Sequence, residues 1–330
     1  MYNAVSLKTE ELKALEREGK IKNVFTTYEW IAFLRKNQRI TPVVLRLDDE
    51  GCRTKAYFVG GVIRKSGFKI LGSPFEGWLT CEMGFIEVES FDINLALRAV
   101  ARYAFKTLKC HYVQITDYTI NEQALDKDIK RFYGKLLHLN ISKTLDEILN
   151  NFSKNGRRDV RASQRKGLTV EKVPFDRVFI DAYYEQLIEV FEKQGLQPFY
   201  TKQKLYDLSD AFLDSPEKII ALVAKTENGH NAGTVFSLGL GDRAYYIGAA
   251  SYRQYQKLLP NEILFWAFLE HWHECGIKKL DLVGYREYKL KYNPQIIDVP
   301  VVYFERYFGI YWAKNMAKNL VKLLRKVKGK

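Results

Sequence analysis

The sequence contains few cysteines, and none of them has a close partner along the chain. Cys52, Cys81, Cys110 and Cys275 are spread over 330 residues, and no Cys-x-x-Cys motif occurs. Zinc sites and redox-active dithiols use closely spaced cysteines, whereas disulfide scaffolds use many more of them. We therefore expect reduced, buried thiols, no disulfide and no metal.

Long apolar runs are absent as well. The longest extends from Ile263 to Leu269, whereas a membrane-spanning helix needs roughly 18 apolar residues. Residues 1–20 are rich in Lys and Glu, so they lack the apolar region of a secretion signal. These features predict a cytoplasmic chain without a transmembrane segment. Its 47% of hydrophobic residues suffice for a folded core.

Acidic residues are missing from positions 311–330, and the whole chain is basic. It has 52 Lys and Arg against 39 Asp and Glu, a net charge of +13, which favours anionic partners such as nucleic acid, lipid headgroups or phosphate-bearing substrates. Seven basic residues lie in this tail: Lys314, Lys318, Lys322, Arg325, Lys326, Lys328 and Lys330.

The spacing in the tail predicts an amphipathic cationic helix. Lys314, Lys318, Lys322 and Lys326 share one face, and the apolar residues on another face are Trp312, Met316, Leu320, Leu323 and Val327. Such a helix either packs its apolar stripe on the domain and leaves its lysines in water, or docks on anionic lipid or RNA.

A second basic cluster lies in the middle of the chain. Lys154, Arg158, Arg161 and Arg165 are spaced by three or four residues, so they share a face of a helix that Gly167 ends. This face either binds an anion or is solvated.

Periodicity and turn residues predict mixed α/β elements in the first half. We expect helices over 7–20, 27–37 and 94–109, and strands over 41–47, 55–63, 68–71, 111–116 and 135–141. Residues 71–78 contain several helix and strand breakers, which predicts a loop that exposes Phe75 and Trp78.

The second half repeats this order of elements without visible sequence similarity. Helices are predicted over 175–194, 202–213 and 263–275, and strands over 168–173, 218–226, 231–240, 243–250 and 279–283. An antiparallel meander, a helix and then a parallel strand is the order of an N-acyltransferase fold. We predict an N-terminal domain over 1–145, a C-terminal domain over 146–310 and the basic helix over 311–330.

Several of these segments resemble FemAB-like acyltransferases, a BioF2-like branch of the GNAT superfamily. The resemblance is carried by the basic helix of 151–167, the strand Tyr246–Ser251, the helix start Pro260–Trp266 and residues 276–284. Tyr288-Lys289 resembles the family's Phe-Lys signature, although Leu290 to Asn293 follow where many members have a glycine-rich turn. The resemblance implies two tandem GNAT-like domains, each a mixed, mostly antiparallel sheet flanked by helices.

The resemblance also implies transfer of an acyl or aminoacyl group to an amine. The donor would be a CoA thioester or an aminoacyl-tRNA, and the acceptor a phosphate-bearing precursor of the cell envelope or of a polysaccharide. These partners are all polyanionic, in agreement with the net charge. Peripheral contact with an anionic membrane at its inner face is a further expectation. The alternative is a non-catalytic GNAT-fold module that binds RNA or an anionic membrane surface.

Two residues are candidates for catalysis. Asp281 ends a predicted strand and is a candidate proton acceptor for the attacking amine, or it ties the strand end to a backbone N–H. Lys289 matches the family lysine, which the resemblance implies stabilises charge in the transition state; alternatively it is a solvated lysine beside Lys291.

Five further residues are candidates for substrate binding. Arg157, Arg158 and Arg161 could clamp phosphate groups. Asn261 begins a helix whose free N–H groups suit an anion, although a plain helix start explains it equally well. Tyr246 would face a cleft if its strand alternates, or it packs in the core. Cys110 and Cys275 could in principle carry an acyl group, but we expect both to be packing residues.

Overall fold

The chain is described by a computed structural model that covers residues 1–65, 67–75, 77–192, 195–312 and 316. Its contacts divide it into two compact units. Unit 1 contains residues 1–20, 38–134 and the residues from 299 onward, and unit 2 contains residues 21–37 and 135–298. The units are thus interleaved along the chain, and the division at 1–145, 146–310 and 311–330 stays a prediction.

Helices and strands alternate in both units, as the periodicity predicts. The helices are α1 (Glu11–Arg17), α2 (Tyr28–Gln38), α3 (Ile93–Lys106), α4 (Leu145–Asn151), α5 (Lys154–Ser163), α6 (Arg177–Glu192), α7 (Lys202–Ala211) and α8 (Pro260–Glu274). The strands are β1 (Asn3–Leu7), β2 (Thr41–Asp48), β3 (Thr54–Lys65), β4 (Phe68–Ser73), β5 (Gly84–Glu87), β6 (Tyr112–Thr116), β7 (Arg131–Asn140), β8 (Thr169–Val173), β9 (Ile219–Lys225), β10 (Asn231–Leu240), β11 (Arg243–Ser251), β12 (Lys279–Asp281) and β13 (Gln295–Glu305).

The two units have the same strand order. In unit 1 the order is β1-β2-β3-β4-β6-β13, in which only the β4–β6 pair is parallel, and β5 pairs with β3. In unit 2 the order is β8-β9-β10-β11-β12-β7, in which only the β11–β12 pair is parallel. This repeat confirms the prediction of two tandem mixed, mostly antiparallel sheets flanked by helices.

Local caps explain where several helices begin. Asp92 accepts hydrogen bonds from the backbone N–H groups of Asn94 and Leu95 at the start of α3. Thr144 and Glu147 form a reciprocal capping box on α4, and Ser153 caps α5 through the N–H of Gly156.

Each unit has its own hydrophobic core. In unit 2 the core lies between the sheet and α8, where Phe265, Phe268 and Trp272 are buried against β10 and β11. In unit 1 the buried face of α3 contributes Leu97 and Val100.

Three local features differ from the prediction. Strand β1 was missed, since residues 3–7 pair with β2, and the helix predicted over 7–20 is shorter, at Glu11–Arg17. Strand β13 was missed altogether. Phe75 and Trp78 are 6% and 2% exposed, because the loop that carries them packs inward, with Gly61 close to Trp78.

The predicted tail helix lies almost entirely outside the described residues. Residues 310–312 and 316 are helical. The seven basic residues of the tail fall at positions that the structure does not describe.

Candidate active site

The parallel strands of unit 2 separate at one end, and this separation defines the candidate site. β11 and β12 pair from Arg243 with Lys279 to Tyr245 with Asp281. β12 then ends, whereas β11 continues to Ser251. Beyond Tyr245, β11 no longer pairs with β12. The backbone groups on this side of β11 can therefore form hydrogen bonds with a partner other than β12.

A β-bulge lies in β11 directly at this separation. Phe236 of β10 pairs with Gly248, and Ser237 pairs with Tyr246, so Ile247 is an extra residue. A bulge bends its strand and re-aims the neighbouring side chains. Gly248 is required here, because a Cβ atom would lie 2.5 Å from the Tyr183 hydroxyl oxygen.

The turn that follows β12 is strained and is held by Asp281. Val283 has a φ of 48°, and Gly284 has a φ of 69°; a β-branched residue rarely adopts the left-handed region. An Oδ1 atom of Asp281 accepts a hydrogen bond from the Val283 N–H at 2.8 Å, which favours this conformation. Asp281 is 3% exposed, so its carboxylate forms part of the turn itself.

The turn directs its carbonyl groups toward Lys289. The Nζ atom of Lys289 donates to the carbonyl oxygens of Leu282 and Val283 at 2.5 Å each, and to that of Gly284 at 3.3 Å. The residue is 6% exposed, so the alternative of a solvated lysine is wrong. A buried ammonium group held by backbone oxygens is a fixed positive charge at the end of the parallel pair.

Two tyrosine rings also approach this ammonium group. Lys289 Nζ lies 5.7 Å from the ring centroid of Tyr246 and 5.8 Å from that of Tyr288, which is within the range of cation–π attraction. Tyr246 is 7% exposed and packs edge-on against Phe265. Burial raises the pKa of Tyr246 well above its usual value, so its hydroxyl group stays protonated at neutral pH.

The basic helix α5 packs on the segment that carries Lys289. The backbone N–H of Ser153 donates to the Lys291 carbonyl at 3.0 Å. A Cβ atom at Gly156 would lie 2.3 Å from the same carbonyl oxygen, so only glycine permits this approach. Lys291 Nζ contacts Glu262 at 2.6 Å and Asp159 at 3.5 Å. These ion pairs connect α5, the Lys289 segment and the first turn of α8.

The three predicted arginines have different surroundings. Arg157 Nη1 donates to the carbonyl oxygens of Asn150 and Phe152, so this guanidinium supports the end of α4. Arg158 pairs with Asp159 at 2.9 Å, and 70% of its side chain is exposed. Arg161 is exposed. Their role in binding phosphate stays a prediction.

Asn261 lies at the start of α8, as its sequence position indicates. Its Nδ2 donates to the Ser251 hydroxyl at 3.1 Å, whereas its buried Oδ1 has no hydrogen-bond partner among the described residues. Leu259 precedes the helix in a left-handed conformation, and no side chain caps this end. Pro260 has no N–H group, and the N–H groups of Glu262 and Ile263 donate to the Leu259 carbonyl, so anion binding at this helix start stays a prediction.

His138 was missed by the sequence reasoning. It lies directly opposite Asp281 in the antiparallel pair of β7 and β12, and its buried Nε2 atom has no hydrogen-bond partner among the described residues. Burial, together with the neighbouring Arg243 and Lys279 charges, lowers the pKa of His138. Directly opposite residues share a face of the sheet. No sequence signal identifies such a pair, because 142 residues separate its members along the chain.

The cysteines do not point to a covalent carrier. Burial raises the pKa of Cys110 to about 11, so little thiolate forms at neutral pH. Cys52 and Cys275 are exposed, which corrects the expectation of buried thiols and, for Cys275, of a packing residue. Among the described residues, no group of three or more His, Cys, Asp or Glu side chains could hold a metal ion.

The comparisons with known proteins agree with this geometry. Residues 154–290 match the family model "Acetyltransferase (GNAT) domain". This segment contains the bulge, the separated strands and the Lys289 turn. No match to the chain is found among curated protein sequences.

Solved structures extend the likeness to the whole chain. FemX is 14% identical, with a TM-score of 0.67 over 90% of this chain and 96% of FemX. L-PGS from Bacillus licheniformis is also 14% identical, with a TM-score of 0.56 over 96% of this chain and 97% of L-PGS. A tandem GNAT protein from the clavulanic acid biosynthesis pathway is 10% identical, with a TM-score of 0.50 over 92% of this chain and 98% of that protein. Residues 154–290 therefore match a GNAT acetyltransferase domain, and the chain has the tandem GNAT fold that these structures share.

Proposed function

We propose that the protein transfers an acyl or aminoacyl group from a CoA thioester or an aminoacyl-tRNA to an amine of a phosphate-bearing precursor of the cell envelope or of a polysaccharide. The observation that carries this proposal is the buried ammonium of Lys289, held where β11 and β12 separate. The FemAB-like fold supports the class of acceptor. The net charge of +13 supports polyanionic substrates on both sides of the reaction.

The proposed reaction is direct attack of the acceptor amine on the donor carbonyl. The new C–N bond forms as the C–S bond of a thioester, or the C–O bond of an aminoacyl ester, breaks. The amine loses one proton, and the departing sulfur or oxygen gains one. In this proposal the free edge of β11 binds the donor chain, and Lys289 stabilises the negative charge that develops at the reacting carbonyl or at a phosphate group.

Two groups remain candidates for receiving the proton of the amine. Asp281 was predicted from the sequence, but its carboxylate also holds the Val283 turn. His138 has a lowered pKa and a ring nitrogen available to accept a proton, which suits a general base at neutral pH. A log-rate profile against pH in His138→Gln and Asp281→Asn variants separates the two. In the variant that lacks the general base, the transfer rate should no longer fall as the pH is lowered through the pKa of that base.

The proposed function is tested by a transfer assay with several classes of acyl donor. The purified protein is incubated with acetyl-CoA, longer acyl-CoAs or charged tRNAs, together with nucleotide sugars or lipid-linked sugars that carry a free amine. The mass gained by the acceptor is then measured. Transfer in the native protein and its loss in Lys289→Met support the proposal. Binding of RNA or vesicles without transfer from any of these donors supports the non-catalytic alternative instead.

Cytoplasmic localisation, with peripheral contact at the inner face of the membrane, forms part of this proposal. No helix among the described residues is long and apolar enough to cross a bilayer. An acceptor that carries lipid and phosphate would bring the protein to an anionic surface.

A further inference from the structure

A pair of tyrosine hydroxyl groups lies beside the bulge of β11, on the face of the sheet that α6 covers. The hydroxyl oxygens of Tyr183, on α6, and of Tyr200, directly before α7, are 2.5 Å apart. Gly248 follows the extra residue Ile247, and a Cβ atom at Gly248 would lie 2.5 Å from the Tyr183 hydroxyl oxygen. The hydroxyl pair is therefore packed against the backbone of β11 where this strand bends.

The ring of Tyr183 is held by aromatic neighbours. It packs edge-on against Phe236 of β10 at 5.2 Å and stacks on Phe179 of α6 at 6.3 Å. Phe236 pairs with Gly248 across the ladder, so the Tyr183 ring packs at the register position of the bulge. Tyr183 is 1% exposed, and close-packed side chains keep one arrangement on the time average. The Tyr183 hydroxyl group is therefore fixed relative to β11.

Polar contacts attach α6 to the sheet. Thr234 Oγ1 donates to Gln186 Oε1 at 2.7 Å, and both residues are fully buried. The backbone N–H of Arg253, two residues beyond β11, donates to Glu189 Oε1 at 3.0 Å. Helix α6 is thus connected to β10 and to the segment that follows β11. It is a rigid support for Tyr183.

Tyr200 is held at its main chain as well as at its hydroxyl group. The Tyr184 hydroxyl donates to the Tyr200 carbonyl oxygen at 3.2 Å. The next residue, Thr201, caps α7 by accepting a hydrogen bond from the Lys204 N–H. Burial raises the pKa of Tyr183 well above its usual value and that of Tyr200 to about 12. Both hydroxyl groups therefore stay protonated at neutral pH, and their hydrogen bond joins the start of α7 to α6 beside the bulge.

We propose that Tyr183 and Tyr200 are positioning residues of the transfer reaction. This inference rests on the proposed function, in which the edge of β11 beyond Tyr245 binds the donor. The hydrogen bond between the two hydroxyl groups fixes the bulge and so aims the backbone groups of this edge at the donor carbonyl. Neither hydroxyl group contacts a reacting atom. A displacement of about 1 Å in a site can slow a reaction about a hundredfold, so a contact behind the strand is sufficient to control the rate.

Phenylalanine at each position removes the hydroxyl group and keeps the ring. Tyr200→Phe leaves the buried Tyr183 hydroxyl without its partner, so this variant should unfold at a lower urea concentration than the native chain. Tyr183→Phe with Tyr200→Phe removes both partners and should recover most of that stability. In both variants we expect kcat to fall at least about tenfold. KM for donor and acceptor should stay within about twofold of native, because the contact acts on the geometry of the transition state.

Tyr206→Phe is the matched control. The Tyr206 hydroxyl on α7 donates to Asp181 on α6, so this variant also removes a hydroxyl contact between the same two helices. The Asp181 side chain is 47% exposed, so this contact lies at the surface rather than against β11. Tyr206→Phe should therefore keep the native kcat.

The pH dependence of kcat separates a positioning role from proton transfer. Because both hydroxyl groups stay protonated at neutral pH, kcat of the double phenylalanine variant should fall by the same factor at every pH from 6 to 8. A tyrosine that gave its proton to the reaction would instead change the shape of the profile. That result would overturn the positioning role.

Amide hydrogen exchange tests the same contact without any substrate. Residues 246–251 of β11 should exchange about fivefold faster in the double phenylalanine variant than in the native chain, since one hydrogen bond that supports the strand is lost. Tyr206→Phe should leave this exchange unchanged.

The outcomes distinguish this inference from the proposed function. Native kcat in the double phenylalanine variant, or equal exchange of residues 246–251 in this variant and in the native chain, would overturn the positioning role. Absence of transfer by the native chain with every donor would refute the proposed function. The exchange measurement would then still decide whether the tyrosine pair fixes the bulge.

Discussion

Replacing Lys289 by methionine removes the buried ammonium group and keeps an unbranched side chain of similar length. The native Nζ donates to three carbonyl groups, of which that of Leu282 is buried and those of Val283 and Gly284 are partly buried. Water can reach the two partly buried oxygens after the substitution. The Leu282 oxygen instead loses its hydrogen bond in a buried position, which costs about 1–3 kcal/mol.

The same substitution also has a stabilising effect on the folded state. Burying an ammonium group carries a desolvation cost, which the methionine variant no longer has. The native geometry offsets this cost through two hydrogen bonds of 2.5 Å, and charged hydrogen bonds of this kind are about twice as strong as neutral ones. We therefore expect a net loss in the free energy of unfolding of about 1–3 kcal/mol, together with a fall in the transfer rate of at least about a hundredfold.

The assay combines urea unfolding with transfer kinetics. Lys172→Met is the matched control, because Lys172 is exposed on β8. This variant should change neither the free energy of unfolding nor the transfer rate. Unchanged unfolding in Lys289→Met would show that the carbonyl contacts do not stabilise the turn. Native transfer rates in a folded Lys289→Met variant would refute its role in the transition state.

Three further predictions follow from the same region. Asp281→Ala should lower the free energy of unfolding by about 1–2 kcal/mol, whereas Asp281→Asn keeps an oxygen for the Val283 N–H and should remain near native stability in urea unfolding. Because burial lowers the pKa of His138, the unfolded chain binds more protons between that pKa and 6.5, so the free energy of unfolding decreases as the pH is lowered through this window. His138→Gln should flatten this part of a stability profile measured from pH 5 to 8. Gly156→Ala should cost about 1–3 kcal/mol and slow transfer, because its Cβ would meet the Lys291 carbonyl oxygen at 2.3 Å; Gly134→Ala, whose Cβ has its closest neighbour at 4.0 Å, is the thermal-unfolding control.

Each of these predictions has a result that would contradict it. Equal destabilisation by both Asp281 variants would show that its charge, and not its hydrogen bond, holds the turn. A pH profile that His138→Gln leaves unchanged would assign the acid sensitivity to other groups. A Gly156→Ala variant as stable and active as the native chain would show that α5 can move away from the Lys289 segment at no cost.

The local sequence pattern was sufficient to predict most helices and the antiparallel meander of unit 2. α2, α7 and β10 lie within about two residues of their predicted bounds, because apolar periodicity, caps and an Asn-Gly turn act over a few residues. The position of Lys289 after the strand of Asp281 was also visible in the sequence, through the resemblance to a family signature. These features depend on neighbours that are close along the chain.

Burial and pairing between distant segments were decided only by the tertiary structure. β13 was missed because its main-chain hydrogen bonds are made with β6, which lies almost 190 residues earlier, and no local period reports such a partner. Phe75 and Trp78 occupy a segment rich in breakers, so their composition indicated an exposed loop, yet their apolar area packs inward.

The same distinction applies to the candidate site. The sequence by itself determined which residue types are available: a lysine after a strand, a carboxylate at its end and a basic helix upstream. Only the tertiary structure placed His138 opposite Asp281, buried the Lys289 ammonium among three carbonyl groups and left Trp312 exposed. The exposure and the electrostatic environment of a side chain depend on its distances to all the groups that folding brings near it. The order of residues along the chain does not contain these distances.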